Sequence, residues 1–588
     1  MRLKQLFRNE LSHLRQRGSD FARENPQLAR FLGEKATDPD VERLLEGFAF
    51  LTARLRMKLE DDLPELTHSL LQLLWPNYLR PIPSLTIIRF DPVDRAIVER
   101  QVLAKGTCLQ SLPIDGTRCQ FRTCTDVAMF PLCIRRVADA HSKDKSTVRV
   151  DMSTLSDQPL HAIGCDRLDF YLSGDATTAS TLYLWLARYL ARVTITIDGS
   201  TSFLDPRCIE FPGFSPEESL LPQPRNVFDG YRILQEYFVF PQRFLFVRLT
   251  GLMKTWPLTA ASDVRLDLEF TRPMPSGVRV SDDDISLYCT PAVNLFEHDA
   301  EPISLDGRSV DYRLQPSGRE TADCEIFSID RVCSWKRDSN GSTGEFLREF
   351  QAFESLGHEI EHAHERASLY YRARAEASTR DDGLLHRIAF VRSDESHFIG
   401  RNETISVDLT CTNRDLASML GPGEICVPTS DTPTFATFSN ITKPRPCYRP
   451  VLDGAMQWTL ISNLSLNYLS LLSPEPLKAV IRAYDFAALH DLQSARATRL
   501  RMDAIGKVTT RPADVLMSGI PVRGLRTTME LDQSAFVSEG DLYLFACALS
   551  HFFSLYASIN SFHELTVVNT QNNETYTWPV LKGGQPVI

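Results

Sequence analysis

Prolines at positions 76, 81 and 83 divide the chain into two parts with different hydrophobic periods. Proline fixes φ and removes a backbone donor, so a helix that enters this segment is expected to end there. Before the prolines, apolar residues recur every three or four positions, which is typical of amphipathic helices. From about residue 85 to about residue 450 the period changes to two, which is typical of strands. The prolines therefore predict a boundary between a helical region and a β-rich region.

The N-terminal region is predicted to form three helices. The first carries apolar residues at heptad-like spacing, at Phe7, Leu11, Leu14 and Phe21. The second begins at Asp38-Pro39, where the carboxylate can cap unpaired backbone N–H groups and proline is tolerated at the first helical position. Its apolar positions are Val41, Leu44, Phe48, Leu51, Leu55 and Leu59. A third, short helix is predicted after Pro64, ending before the proline cluster.

The region that follows is predicted to be mainly β-sheet. Its clearest strand runs from Val264 to Phe270, where apolar residues alternate with charged ones, as in a strand with one wet face. A helix is predicted to interrupt it at 181–192. The C-terminal part mixes helices such as 474–485 with strands such as 523–532. We therefore predict an α+β, multidomain fold: a helical bundle at 1–80, a β-rich body of two subdomains at 84–445, and an α+β domain at 446–588.

Charge and cysteine content exclude several classes of function. A net charge of -11 and a pI near 5.7 leave no basic surplus for a phosphate backbone, so nucleic acid is not an expected partner. The first residues carry a charge every few positions, so no signal peptide is predicted and the protein is expected in the cytoplasm. The 13 cysteines contain no C-x-x-C pair and are expected to be reduced core thiols.

The sharpest chemical motif is His358-Glu359-Ile360-Glu361-His362, a literal H-E-x-x-H. On a helix this spacing puts two imidazoles one turn apart, where they can bind zinc with a glutamate as the base. The charged residues that follow, Glu365 and Arg366, indicate a solvated helix, whereas a peptidase helix is buried. The third histidine of the extended motif is missing. We predict no metal, no cofactor and no enzyme activity, with a zinc metallopeptidase-like hydrolase as the alternative.

Three further features carry weaker hypotheses. The acidic run 282–284 could bind a cation, but a solvated turn is the favoured interpretation. His551 is predicted to be a hydrogen-bonded core residue rather than a switch. The stretch 542–563 has no formal charge and is close to the roughly 20 residues that span a bilayer. Because Ser550, Ser554 and Ser558 line one face, we predict an amphipathic helix of a globular protein and no membrane span.

Seven short segments spread over the chain have distinctive sequences. Three lie near the N-terminus, DPDVERLLEGFAFL at 38–51, DDLPEL at 61–66 and LRPIPS at 79–84. The others lie at 236–241, 411–416, 458–467 and 556–562. Together they resemble the TssF family of type VI secretion baseplate subunits, in family order across nearly the whole chain. Residues 336–384 resemble the family least.

The resemblance implies a structural subunit of a contractile, phage-like injection machine. It implies partners TssG, a second TssF copy and TssK, which form wedges around a central spike, together with other baseplate or sheath components. It also implies a cytoplasmic protein that is recruited to an inner-membrane-anchored complex without inserting in the membrane. Such a subunit must hold its neighbours in register and then let the assembly rearrange.

The predicted partner surface is the apolar seam of the N-terminal helices. It consists of Phe7, Leu11, Leu14, Phe21, Val41, Leu44, Phe48, Leu51 and Leu55. A helical unit of about 80 residues buries modest area on its own, so another chain is expected to cover the seam. The alternative is an internal core, in which the helices pack on each other or on the β-rich body.

Overall fold

The computed structural model describes residues 11, 14, 39–223, 231–318, 323–337, 343–354, 369–378, 383–392, 397–398, 401–452, 457, 460, 472–517 and 519–584. For residues 39, 42, 53–66, 337, 343–345 and 401–402 the description covers the backbone only. The chain forms two compact units. Unit 1 comprises Met1–Leu74 and Val451–Leu464, and unit 2 comprises Trp75–Pro450 and Ser465–Ile588.

Unit 1 is built on helix α1, which runs from Pro39 to Leu74. It ends before the proline cluster, as predicted. The predicted break at Pro64 is wrong, because a single helix continues through this residue. A proline inside a helix costs about 3 kcal/mol, but its φ is already close to helical, and the apolar repeat on both sides favours an uninterrupted helix. Thr67 donates a hydrogen bond to Gln457 Oε1 at 2.6 Å, which joins the two segments of unit 1.

The described helices of unit 2 are short except for the last. They are α2 (Leu160–Ile163), α3 (Ala176–Leu184), α4 (Arg232–Val239), α5 (Pro474–Tyr484), α6 (Phe486–His490), α7 (Leu492–Asp503) and α8 (Glu539–Tyr556). Asp175 begins α3 by accepting hydrogen bonds from the N–H groups of Thr177 and Thr178. α3 continues into a π-helical segment, Trp185–Tyr189. The helical interruption predicted at 181–192 is therefore present, but it ends earlier than predicted.

Strands make up much of unit 2. In chain order they are β1 (Leu85–Pro92), β2 (Gln101–Leu103), β3 (Cys108–Ile114), β4 (Thr117–Thr123), β5 (Val127–Met129), β6 (Leu132–His141), β7 (Ser146–Thr154), β8 (Leu168–Leu172), β9 (Leu190–Ile197), β10 (Ser200–Leu204), β11 (Ile209–Glu210), β12 (Phe246–Leu249), β13 (Asp263–Phe270), β14 (Ile285–Leu287) and β15 (Cys289–Val293). They continue with β16 (Phe296–Asp299), β17 (Ile303–Asp306), β18 (Asp311–Leu314), β19 (Glu325–Arg337), β20 (Thr343–Ala352), β21 (Leu369–Ala377), β22 (Leu384–Arg392), β23 (Arg401–Thr412), β24 (Ala436–Asn440), β25 (Ile505–Met517), β26 (Ile520–Leu531), β27 (Phe562–Asn569), β28 (Thr575–Thr577) and β29 (Leu581–Lys582).

Four sheets form the body of unit 2. Their strand orders are β24-β1-β15-β4-β3, β10-β9-β13-β7-β6, β11-β12-β8-β14 and β2-β5. The strand predicted at 264–270 is confirmed as β13, in which Val264, Leu266, Leu268 and Phe270 are buried and the alternate residues are wetter. The predicted α+β, multidomain class is likewise confirmed by the mixture of sheets and helices.

A separate sheet forms a lobe inserted between β15 and β24. Its order is β16-β23-β19-β20-β21-β22-β18, with β17 paired to β23. Its core contains Phe296, Val332, Phe350, Ile388, Phe390, Ile405, Val407 and Leu409. The chain enters the lobe after Asn294 and leaves it at Thr412. These two residues are hydrogen-bonded to each other, so the chain enters and leaves at the same end of the lobe.

The C-terminal sheet has the order β25-β26-β27-β28, with β29 paired to β27, and helix α8 packs against it. Strand β27 follows α8 in the chain and pairs in parallel with β26. The amphipathic interpretation of 542–563 is wrong: Ser550 and Ser554 are buried, and the helix ends at Tyr556, before Ser558. Among the described residues, no helix combines the length and apolarity needed to cross a bilayer.

Candidate partner interface

The described part of the predicted partner surface lies on α1. The side chains of Leu44, Phe48 and Leu51 are 73%, 62% and 58% exposed. At about 100° per residue, their spacing confines them to a sector of about 60° around the helix. Val41 lies at the edge of this sector and is half-buried. We name Val41, Leu44, Phe48 and Leu51 the α1 stripe.

The remaining predicted interface residues are described less fully. Leu11 and Leu14 have helical backbones and half-buried side chains. Phe7 and Phe21 lie outside the described residues, and so does the side chain of Leu55. The structure therefore places the four residues of the α1 stripe on one helix surface. The part of the seam on the first predicted helix stays a prediction.

A different side of α1 is less exposed. Ala49 is fully buried, while Leu45 and Thr52 are half-buried. These three lie about 80° to 140° around the helix from Leu44. The helix thus has an inner side beside the exposed stripe. Phe50, 44% exposed, lies outside the stripe and was not assigned from the sequence, because it falls off the three-to-four-residue spacing.

The charges around the stripe contribute little to its energetics. Arg43 and Asp40 form an exposed pair at 3.7 Å, and such pairs are typically worth less than about 1 kcal/mol. By contrast, fully covering a Leu or Phe side chain contributes about 1.5–3 kcal/mol. Burial of the apolar stripe would therefore supply most of the affinity of a contact here.

The segment 236–241 anchors a buried ion network in unit 2. Glu236 accepts hydrogen bonds from Arg232 Nη1 at 3.1 Å and from the N–H of Leu220 at 2.9 Å. Arg243 lies 3.7 Å from the same carboxylate. Burial lowers the pKa of Arg243, although Glu236 and Glu218 oppose this shift. Removing one partner of such a buried pair leaves an uncompensated charge, so the network fixes the 206–223 connection onto α4.

The segment 411–416 links, through hydrogen bonds, the point where the chain enters the inserted lobe to the point where it leaves the lobe. Asn294 Oδ1 accepts from Thr412 Oγ1 and from the Asn413 N–H, both at 2.7 Å. Asn294 Nδ2 in turn donates to Asn413 Oδ1 at 2.8 Å. All three residues are fully buried and their polar groups are paired, which makes this link rigid.

Near the C-terminus, the segment 556–562 joins α8 to β27. Tyr556 packs edge-on against Tyr231, with ring centroids 5.5 Å apart. Phe562 is fully buried at the start of β27. The segment 458–467 falls outside the described residues except for Leu460, which is buried. The described family-like segments of unit 2 therefore hold the fold together.

The H-E-x-x-H of His358 and His362 lies outside the described residues. Within the described part, no cluster of three His, Cys, Asp or Glu side chains could hold a metal ion. Two carboxylates of the acidic run bond to the backbone: Asp282 accepts from the Val137 N–H and Asp284 from the Ser281 N–H, each at 2.6 Å. The Asp284 contact closes a turn, and the Asp282 contact ties this turn to β6.

The ring of His551 is held by stacking, and the predicted side-chain hydrogen bond is absent among the described residues. It lies flat on Phe214, with ring centroids 4.0 Å apart. Burial, with a smaller effect from Arg232, lowers the pKa of His551 to about 4. The histidine is therefore neutral at physiological pH. The 13 cysteines form no disulfides in the described structure; eight of them are buried, and Cys426 is exposed.

Comparison with known proteins first defines the class: the chain is a component of type VI secretion systems. The family model described as "Type VI secretion system, TssF" matches residues 1–585. The chain therefore belongs to the TssF family. It is 28% identical to the type VI secretion system component TssF1 of Pseudomonas aeruginosa, with 100% of this chain and 99% of the relative covered.

Two solved structures are similar to the chain over nearly its whole length. One is a chain of the TssK-TssF-TssG baseplate subcomplex, with a TM-score of 0.75, 29% identity, and coverage of 93% of this chain and 99% of that chain. The other belongs to the baseplate complex from the type VI secretion system, with a TM-score of 0.64, 25% identity and 100% coverage of both chains. These comparisons give the zinc hydrolase alternative no support.

Proposed function

We propose that the chain is a structural wedge subunit of a type VI secretion baseplate, which assembles with TssG and TssK in the cytoplasm. The single observation that carries this is family membership over residues 1–585. The subcomplex that contains the similar chain is named for TssK, TssF and TssG, which supplies the two partners. In this proposal, a second copy of the chain and the spike complete the wedge, and the assembly is recruited to an inner-membrane-anchored complex.

The α1 stripe is the surface that we assign to TssG. Leu44, Phe48 and Leu51 are exposed in a chain whose other long apolar helix is buried. Apolar side chains at i, i+4 and i+7 are the anchors that a helix uses in a helical bundle or groove. A helix of TssG packed along this stripe would bury these three side chains together. In this proposal, Phe7 and Phe21 of the first predicted helix extend the same contact.

The test is Phe48→Asp in the full chain, co-produced with TssG and TssK of the same secretion system. Phe48 is exposed, so the melting temperature of the chain alone should change by less than about 2 °C. In the complex, an unpaired carboxylate in an apolar contact should weaken TssG binding by at least tenfold. The control is Leu258→Asp, at a side chain that is 79% exposed on a loop of unit 2, which should leave TssG binding unchanged.

Two results would count against this assignment. If Phe48→Asp is insoluble or melts far below the wild type, Phe48 belongs to an internal core. If it binds TssG as tightly as the control, the stripe is not the TssG surface. Co-purification of the wild-type chain with TssG, followed by mass measurement of the complex, tests the wedge itself.

We also propose that this role is mechanical and involves no catalysis. In unit 2, the described side chains that match the family serve the fold. Elemental analysis of the purified chain should find less than about 0.1 zinc per chain. About one zinc per chain, lost in His362→Ala, would instead establish a metal site at the H-E-x-x-H.

A further inference from the structure

The C-terminal sheet extends into a ribbon that the described part of the chain does not cover. β25 and β26 are paired along their whole length, from Ile505 opposite Leu531 to Met517 opposite Ile520. β27 accompanies β26 only from Leu525 to Leu531. The outer residues, 513–517 and 519–523, therefore form a two-stranded ribbon that projects about 15 Å beyond the sheet. We name these residues the arm.

Gly524 fixes the point where the arm leaves the sheet. It is buried, and a Cβ atom there would lie 2.3 Å from the carbonyl oxygen of Phe562. The close approach of the two backbones requires glycine at this position. Beyond Gly524, no described residue of the arm is buried.

The solvent face of this hairpin changes from polar to apolar at the start of the arm. Residues directly opposite each other on antiparallel strands share a face. Near the sheet, this face carries Arg511 opposite Arg526. On the arm it carries Val515 opposite Val522 and Met517 opposite Ile520. A strand pair that served only the fold would keep this face polar.

The other face of the arm is also apolar at its tip. Leu516, 73% exposed, lies there opposite Pro521. Ile520, at the turn on the solvent face, is 65% exposed. An isolated two-stranded ribbon is only marginally stable in water. With apolar side chains on both faces, a flat partner could cover only half of the arm, so the cover has to enclose it.

The open edges of the arm do not favour strand addition. Pro512 lies in β25, and Pro521 in β26. Proline lacks the N–H that a further strand would need, and prolines at such edges oppose pairing with another chain. A partner would therefore recognise the side chains of the arm rather than its backbone.

The base of the arm is basic, although the chain as a whole carries a net charge of -11. Residues 507–526 contain Lys507, Arg511, Arg523 and Arg526 and the single acidic residue Asp514. Arg526 pairs with Glu564. Among the described residues, the other three basic side chains form no ion pair. An acidic rim around an apolar groove would complement this arrangement.

We propose that the arm inserts into an apolar groove with an acidic rim on another protein subunit of the baseplate. The inference rests on the proposed function and concerns a second surface, on unit 2, that is distinct from the α1 stripe. A protein groove fits better than a lipid bilayer, because Asp514 and Arg523 lie opposite each other on the arm itself. Insertion in hydrocarbon would bury both charges, whereas a groove can pair them at its rim.

The experiment uses Leu516→Ser with Ile520→Ser in the full chain, co-produced with TssG and TssK. Both residues are exposed, so the chain should melt at the wild-type temperature. The double variant should lose TssG or TssK from the purified complex, with the affinity for that subunit at least tenfold weaker. The matched control is Leu492→Ser on α7, at an 81% exposed side chain, which should retain both partners.

A second variant tests the charge complementarity. Arg511→Glu with Arg523→Glu should weaken binding of the same subunit about tenfold at 0.05 M salt. The difference from the wild type should shrink at 0.5 M salt, because screening removes the repulsion from an acidic rim. A salt-independent result would contradict the acidic rim.

The outcomes separate the two proposals. If the wild-type chain binds neither TssG nor TssK, the proposed function fails. If it binds both, and the serine variant binds both equally well, only the arm inference is overturned. Flotation of the wild type, but not of the serine variant, with vesicles of anionic phospholipid would make the arm a lipid contact. If the serine variant loses only self-association, the arm is a contact between copies of this chain. Either of these two results overturns the proposed insertion into a groove of another subunit.

Discussion

Helices α1 and α8 carry comparable runs of Leu and Phe in opposite surroundings. In α1, Phe48 and Leu51 face water. In α8, Phe545 and Phe552 are fully buried, and so is Ser550 on the serine face. Hydrophobic periodicity identifies the side of a helix that avoids water, but it does not say what covers that side.

The cover of α8 comes from several elements of unit 2. It contacts α3 and α4, which are distant in sequence, and β27, which follows it directly in the chain. The ring of Phe545 lies 5.7 Å from that of Tyr237 and 5.5 Å from that of Phe536. A helix packed from several directions needs no polar face, so its serines can be buried.

The largest expected effect compares one phenylalanine from each helix. Phe545→Ala should lower the free energy of unfolding by about 3–5 kcal/mol, because it opens a cavity in a close-packed aromatic core. Phe48→Ala should change it by less than about 0.5 kcal/mol, since the side chain is exposed. Urea titrations of both variants measure the difference. Equal losses of unfolding free energy would show that Phe48 is buried as Phe545 is, which would contradict the contrast between the two helices.

Glycines provide the next test. A Cβ at Gly540 in α8 would lie 2.0 Å from the carbonyl oxygen of Ser180, whereas one at Gly47 in α1 meets no atom of the described residues within 4 Å. Gly540→Ala should therefore destabilise unit 2 by about 2–3 kcal/mol, since the contact is with backbone that must shift. Gly47→Ala should stabilise α1 by about 0.5–1 kcal/mol through helix propensity. Thermal melts should move in opposite directions; a gain for both variants would refute the close approach of α8 and α3.

The same contrast explains what sequence analysis could predict. Val264 to Phe270 alternate cleanly, so this strand follows from local pattern alone. The shared face of Leu44, Phe48 and Leu51 on α1 also follows from local spacing, but their exposure does not. By contrast, α8, in which Ser550 is buried, is packed against α3 and α4, about 300 residues earlier, and no local pattern encodes these contacts.

Two other features, the continuous helix α1 and the arm, cannot be predicted from a local sequence pattern. The continuation of α1 through Pro64 depends on whether the cost of one proline exceeds the gain from continued packing. The arm was not predicted at all, although Val515 to Val522 contains a signal. An apolar face continues past the point where the neighbouring strand ends, and locating that point requires the register of β27.

A pH-dependent effect should come next in size. The pKa of His551 is lowered from its ordinary value of 6.5 to about 4 by burial, so the neutral ring stabilises the fold. This stability is complete above pH 6.5 and is lost as the pH falls toward about 4. At pH 5 the loss should be up to about 2 kcal/mol. His551→Phe keeps an aromatic ring on Phe214, so its unfolding free energy relative to the wild type should rise by that amount between pH 7.5 and pH 5. A constant difference would mean that the ring is protonated in the folded chain.

The smallest expected effect concerns the serines that suggested an amphipathic helix. Ser550 Oγ is buried and has no hydrogen-bond partner among the described residues, whereas Ser554 Oγ donates to the His551 carbonyl at 2.7 Å. An unpaired buried hydroxyl costs free energy, and deleting it removes that cost and leaves only a small void. Ser550→Ala should therefore stabilise unit 2 by about 0.5–1 kcal/mol, while Ser554→Ala, which removes a satisfied hydrogen bond, should be neutral or slightly destabilising. A serine face in water would make the two substitutions equivalent. If Ser550→Ala destabilises the chain, the hydroxyl is paired, and the packing of α8 is more polar than its neighbours indicate.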